Sequence, residues 1–209
     1  MQLAGGLEAG IEGAIHVMRV LWEEHKKEED WGFLIIDACN AFNEENRTAM
    51  LWAVRNEWPS GAQFTFNTYH NWETLVVRDI GDGSGNFLHS KEGLIQGNPL
   101  VMIAYGIGVL PLIRELRDAH PRVTHPCYAD GAGVGGTFDQ VQTPLWDMQA
   151  RGPAQGYCPE PTKSILVVAP GNVERAEEHF RGLGIRVVTG HRYLGGFIGD
   201  ADAEREWLR

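Results

Sequence analysis

Apolar positions recur at helical spacing over residues 7–27, at Ile11, Ile15, Met18 and Leu21–Trp22, until the polar run EEHKKEED ends the pattern. The next run, GFLIID (32–37), is short, apolar and closed by an acid, which predicts a central strand with its functional end at Asp37. NEENRTAMLWAVRNEWP then predicts a helix with Asn43 as N-cap, Glu44 and Glu45 in its first turn and Pro59 as its stop. Residues 62–90 predict β structure, with TLVVRDI and NFLHS flanking the hairpin loop GDGSG. A second long helix is expected from Asn98–Pro99 through IAYGIGVLPLIRELRD, kinked at Pro111 and stopping before His120–Pro121. VTHPCYADGAGVGG (123–136) predicts a strand, a tight turn and a second strand. Residues 138–151 are weakly helical, with Pro144 either starting or breaking the helix. SILVVAP is a strand, GNVERAEEHFRGLG a capped helix, and IRVVTG and YLGGFIG two more short strands. This order predicts an α+β fold, with helices packed on one face of a mainly antiparallel sheet.

Composition narrows the class. The chain has 209 residues, 43% of them apolar, enough for one sizeable core and too apolar for a disordered chain. Its net charge of −10 excludes a simple basic nucleic-acid coat. Cys39, Cys127 and Cys158 form no CxxC pair, so neither a zinc ribbon nor a disulfide scaffold is indicated, and a reducing intracellular compartment (cytoplasmic or nuclear) is expected. The eight histidines show no HxxxH or HxH spacing, so histidine metal ligation is not expected. No apolar run reaches the roughly 18 residues of a membrane span, and MQLAGGLEAG lacks the basic and apolar parts of a signal peptide. Trp22, Trp31, Trp52, Trp58 and Trp72 are expected to be packing residues.

Two acids sit where chemistry is plausible: Asp37 at a buried strand end and Asp130 in a turn between short strands. If those strands pair, the two carboxylates meet at one sheet end, an arrangement relieved by a hard divalent cation that also takes substrate phosphates. A pair of such ions about 3.5–4 Å apart clamps the attacking and leaving oxygens of a phosphoryl transfer. Read alone, a strand-end Asp is more often a cap or turn residue.

The words FLIIDACNAFN, GLIQGNPL, CYADG, PTKSILVV and YLGGFIG occur in that order. Together they resemble the palm of a reverse transcriptase, most like those of non-LTR retroelements, over about residues 3–199. The leading QLAGGLEAGIEGAIH resembles the segment before the first catalytic motif of that family. The resemblance implies residues 1–30 as an N-terminal helix with part of the fingers, 31–170 as the palm with its catalytic motifs, and 171–209 as the C-terminal part of the palm.

The resemblance also implies roles. Asp37 and Asp130 would be ligands of Mg2+ (or Mn2+). Phe42 would be the steric gate against a ribose 2′-OH, and the backbone near Ala38 would support the nucleotide's phosphates. Gln96 and Gly97 would lie under the templating base pair, with Asn98 in place of the commoner Asp. Lys163 would lie near the leaving pyrophosphate, donating a proton or neutralising charge. Tyr193, Leu194 and Gly195 would form the primer grip. The implied partners are an RNA template, a DNA primer and deoxynucleotides, with no membrane.

One departure stands out. The family's Tyr-Ala-Asp-Asp turn is here Tyr128-Ala129-Asp130-Gly131, which removes one of three carboxylates. Fewer acids hold divalent cations less well, so an impaired enzyme is expected. The upstream fingers strands and downstream thumb are also expected to lie outside this chain. A non-catalytic remnant that binds nucleic acid or protein, or has no selected role, is the alternative. An RNA-dependent RNA polymerase fits poorly with a bulky Phe42, and a nucleotide cyclase with the Gln-Gly-Asn-Pro-Leu and Tyr-Leu-Gly words. Residues 1–60 carry a net −6 of the total charge. In the family, fingers and thumb supply most of the grip on phosphates, so the fragment is expected to bind nucleic acid weakly and mostly through metal.

Overall fold

A computed structural model describes residues 10–78, 81, 85–128 and 131–209 of the chain. The elements are α1 (Gly10–His25), β1 (Trp31–Ile36), α2 (Ala41–Glu44), α3 (Arg47–Glu57), α4 (Pro59–Tyr69), β2 (Glu73–Arg78) and β3 (Gly85–Ser90). Then come α5 (Val101–Gly108), α6 (Leu110–Ala119), β4 (Cys127–Tyr128), β5 (Gly131–Thr137), α7 (Phe138–Arg151) and β6 (Ile165–Val168). The chain closes with α8 (Val173–His179), β7 (Arg186–Val188), β8 (Gly190–Tyr193), β9 (Gly196–Gly199) and α9 (Ala201–Trp207).

The main sheet has the order β4-β5-β1-β6-β7. GFLIID reads as a continuous apolar run because β1 is central and covered on both faces. It lies antiparallel to β5 and β6, while β6 and β7 are parallel. Side chains alternate across a strand, so β1 feeds two cores. Leu34 and Ile36 join Val134, Leu166 and Val168 beneath α3, α5, α6 and α7. Trp31 and Phe33 join Ile165 and Val167 under Met18 and Trp22 of α1 and Tyr193 and Ile198 of the β8–β9 hairpin. The α+β class with a mainly antiparallel sheet is the observed one. Most helices pack on one face, and α1 with the small hairpin closes the other.

Several local expectations give way to the structure. α3 ends at Glu57, just before Pro59 as expected, but Pro59 also opens a further helix, α4. Residues 62–69 are therefore helical, because a proline in the first turn forfeits no helical hydrogen bond. Asn46, not Asn43, caps α3; its side chain accepts the Ala49 N–H at 3.0 Å. The expected kink at Pro111 is a break, with Pro111 in the first turn of a separate α6. Pro144 neither starts nor breaks α7, which begins with a Thr137–Gln140 capping box and carries Pro144 in its interior. Trp22 and Trp31 are core residues, but Trp52 and Trp72 are 64% and 61% exposed. Among the described residues, no helix is long and apolar enough to cross a membrane.

Candidate active site

Asp37 follows β1 directly, one residue beyond the Ile36–Ala132 pair. It is half-buried, and its carboxylate makes no hydrogen bond or ion pair among the described residues. Its backbone is held firmly. The Asp37 N–H donates to Ser164 Oγ at 3.4 Å, and the Asp37 carbonyl accepts the Glu160 N–H at 2.8 Å. The Ser164 hydroxyl in turn donates to the Glu160 carbonyl at 2.9 Å. A fixed main chain with an unpartnered carboxylate is an arrangement that can receive a ligand from outside.

Ala38 forms an antiparallel bridge with Pro159. That bridge is built from the Asp37 carbonyl and from the Cys39 N–H, which donates to the Cys158 carbonyl at 2.8 Å. The amide of Ala38 stays outside these bonds. Lys163 is exposed and precedes Ser164, so it shares the Asp37 end of the sheet. β4 and β5 meet at the same end, pairing Tyr128 with Gly131. Asp130 lies outside the described residues, as does Ala129. Among the described residues, no three His, Cys, Asp or Glu side chains converge as a metal cage. Asp37 is thus the described donor that a cation at this end would find.

Phe42 sits on the single turn of α2, its ring 4.7 Å from that of Tyr105 in α5. It is half-buried against the larger core, which fixes the ring. Backbone bonds stitch this turn to the segment before Gln96 and Gly97: Leu94 N–H donates to the Phe42 carbonyl at 2.6 Å and Gly93 N–H to the Glu45 carbonyl at 2.9 Å. Gln96 and Gly97 are exposed in a turn, and Gly97 has φ +94° with open space before its Cα. Glycine is needed there for conformation, and the free space leaves the backbone approachable. Asn98 caps the following turn, accepting the Leu100 N–H at 2.9 Å, although α5 starts three residues later.

Tyr193, Leu194 and Gly195 belong to the β8–β9 hairpin on the opposite face of the sheet. Leu194 (φ +50°) and Gly195 (φ +88°) make its two-residue turn. The Tyr193 ring meets Phe33 edge-on at 5.6 Å, and burial pushes its hydroxyl pKa up. A Cβ at Gly133 would come within 2.6 Å of Phe33, so that glycine makes room for the Phe33–Tyr193 stack.

Three contributors were not singled out from sequence. Glu160 holds the Asp37 carbonyl through its backbone, while its own carboxylate turns to the Thr162 hydroxyl at 2.7 Å, which lowers its pKa. Arg47 is buried in α3. Its guanidinium donates to the carbonyls of Gly93 (2.7 Å), Asn71 (3.1 Å) and Ser90 (3.0 Å) and to Ser90 Oγ (2.9 Å). It clamps both ends of the β2–β3 hairpin to the segment that leads to Gln96. Glu45, expected in a helix's first turn, is fully buried beside Gly108, and burial raises its pKa to about 9. A buried arginine or glutamate carries no sequence mark; both look like ordinary polar helix positions.

No family model matches the chain, and no curated protein does. Solved structures do. Apo telomerase from Candida tropicalis aligns at TM-score 0.63 and 12% identity, over 94% of this chain and 36% of that one. Telomerase from Candida albicans, in complex with a TWJ fragment of telomeric RNA, aligns at 0.64 and 9% identity, over 96% and 35%. The chain has a reverse-transcriptase-like fold. At such identities the likeness carries the fold alone, and this chain spans about a third of the length of those it matches.

Proposed function

We propose that the chain is a reverse-transcriptase palm, similar to those of non-LTR retroelements. Its reaction is RNA-directed DNA synthesis from deoxynucleotides on an RNA template and a DNA primer. The observation that carries this reading is the half-buried Asp37 carboxylate, without a partner among the described residues, at the end of the central strand of a reverse-transcriptase-like fold. Asp37 and Asp130 would hold Mg2+ (or Mn2+), which supplies charge neutralisation at a transferring phosphoryl group.

The chain's own groups have separable tasks. The amide of Ala38, outside the bridge bonds, can donate to a nucleotide phosphate. The Phe42 ring, braced on Tyr105, occupies space beside the sugar and disfavours a 2′-OH. Gln96 and Gly97 offer an open turn under the templating pair, and Lys163 neutralises the departing diphosphate. The Leu194–Gly195 turn would bear on the primer. Gly131 removes a carboxylate, and we infer that the chain is impaired for that reason. The loss of that carboxylate at Gly131 favours the second reading, a non-catalytic remnant.

Titration with Mn2+, read by solvent-water proton relaxation, tests the metal site without requiring turnover. The proposal expects saturable enhancement in the native chain that Asp37→Ala abolishes. Identical enhancement in both proteins would refute it.

A further inference from the structure

The β2–β3 hairpin projects two rows of side chains, and one of them has an unusual makeup. Register places Thr74 opposite His89, Val76 opposite Phe87 and Arg78 opposite Gly85. Since side chains alternate, residues 74, 76 and 78 share a face with 85, 87 and 89. Trp72 and Lys91 extend that face at the hairpin's base: the Trp72 ring lies 6.3 Å from His89, and Lys91 Nζ sits 4.4 Å over the Trp72 ring. Phe87 and Trp72 are 68% and 61% exposed, and Arg78, His89 and Lys91 are exposed too. Among the described residues, this face carries no acid in a chain whose net charge is −10.

A lone apolar residue on a surface needs no explanation, but an ordered row does. Alternate residues on a strand stand about 6.4–6.8 Å apart. Phe87, His89 and the Trp72–Lys91 pair therefore present rings at steps near the phosphate spacing of an extended single strand. Arg78 stands at one end of the row and Lys91 at the other. Rings for base stacking beside cations for phosphates are the two parts of a single-strand track. The hairpin is also rigidly mounted, because Arg47 bonds to Asn71 before β2, to Ser90 at the end of β3 and to Gly93 beyond it.

We propose that this face binds single-stranded RNA and guides the template strand toward Gln96 and Gly97. The choice of RNA rests on the function proposed above. The track itself rests on the row of rings and its two flanking cations.

The test is fluorescence anisotropy of the full chain with a fluorescein-labelled, unstructured 15-nucleotide RNA in EDTA. Neither metal nor nucleotide is present, so the outcome is independent of whether the chain polymerises. Trp72→Ala and Phe87→Ala should each weaken binding about tenfold, a typical loss for one stacked base. Both side chains are exposed, so thermal midpoints should stay unchanged. Lys91→Ala should lower the salt dependence by about 0.7 in the slope of log K against log salt. Native affinity in both aromatic variants would overturn the proposal. So would tighter binding of the DNA strand of the same sequence. Salt-stable self-association lost in the same variants would assign the face to a second copy of the chain instead.

Discussion

Glu45 offers a sharp test of the core, because its carboxyl is fully buried. The side chain has no exposed surface, and neither oxygen has a hydrogen-bond partner among the described residues. Gly108 of α5 lies so close that any Cβ there would run into Glu45 Oε1. Burial raises the folded-state pKa from 4.5 to about 9. The unfolded chain releases this proton above pH 4.5 while the folded chain retains it to about 9. Between those values the folded state binds more protons, so this group's contribution to stability declines as pH rises. From pH 5 to pH 8 the linkage amounts to about 4 kcal/mol, a large share of the 5–15 kcal/mol of a typical domain. Glu45→Gln keeps the shape and removes the titration. The assay is urea unfolding of native and variant chains across that range, taking the difference so that other titrating groups cancel. The variant should gain on the native chain by about 1.4 kcal/mol per pH unit. A difference constant to within about 0.5 kcal/mol across the range would refute the buried carboxyl, since linkage then finds no shifted proton.

Two further outcomes follow from named groups. Arg47→Lys should cost about 2–4 kcal/mol, because an ammonium cannot span four acceptors and leaves buried carbonyls unpaired; urea unfolding reads the loss, and amide exchange should quicken over 85–94 before β1 and β5 are affected. His125 has both ring nitrogens buried; burial, then the charge of His120, hold its pKa down at about 4, against a weaker opposing effect of the His120 backbone. The unfolded imidazole takes up a proton from pH 6.5 downward and the folded one only near 4, so stability falls as pH drops through that window. His125→Leu should flatten the fall, measured as thermal midpoint against pH, and an unchanged slope would contradict the assignment.

Strong periodicity made much of the fold legible. GFLIID and SILVVAP read as strands because both are buried on two faces of the sheet. The TLVVRDI–NFLHS hairpin forms as its Gly/Asp loop suggests, and residues 82–84 of that loop lie outside the described residues. Failures gathered at prolines, where the same residue ends one helix or starts the next. Pro59 and Pro111 both start one. Helix α9 was missed because seven residues after a sheet hairpin offer no full apolar stripe; its start rests on Asp200, which accepts the Asp202 N–H at 3.0 Å. The candidate site was legible only as words in order. The tertiary links that brace it, Ser164 to Asp37, Arg47 to Ser90 and Phe42 to Tyr105, join residues far apart in the chain. Local spacing holds no trace of such pairs.

In the proposed function, Asp37 and the β4–β5 junction would form a polymerase centre weakened by Gly131. Primer extension on an RNA template, with the native chain, Gly131→Asp and the Asp37→Ala, Gly131→Asp double variant side by side, tests it most directly. Gly131→Asp should extend the DNA primer well above the native chain, and the double variant should not extend it at all. Equal extension by the native and Gly131→Asp chains, or extension that survives Asp37→Ala, would contradict it.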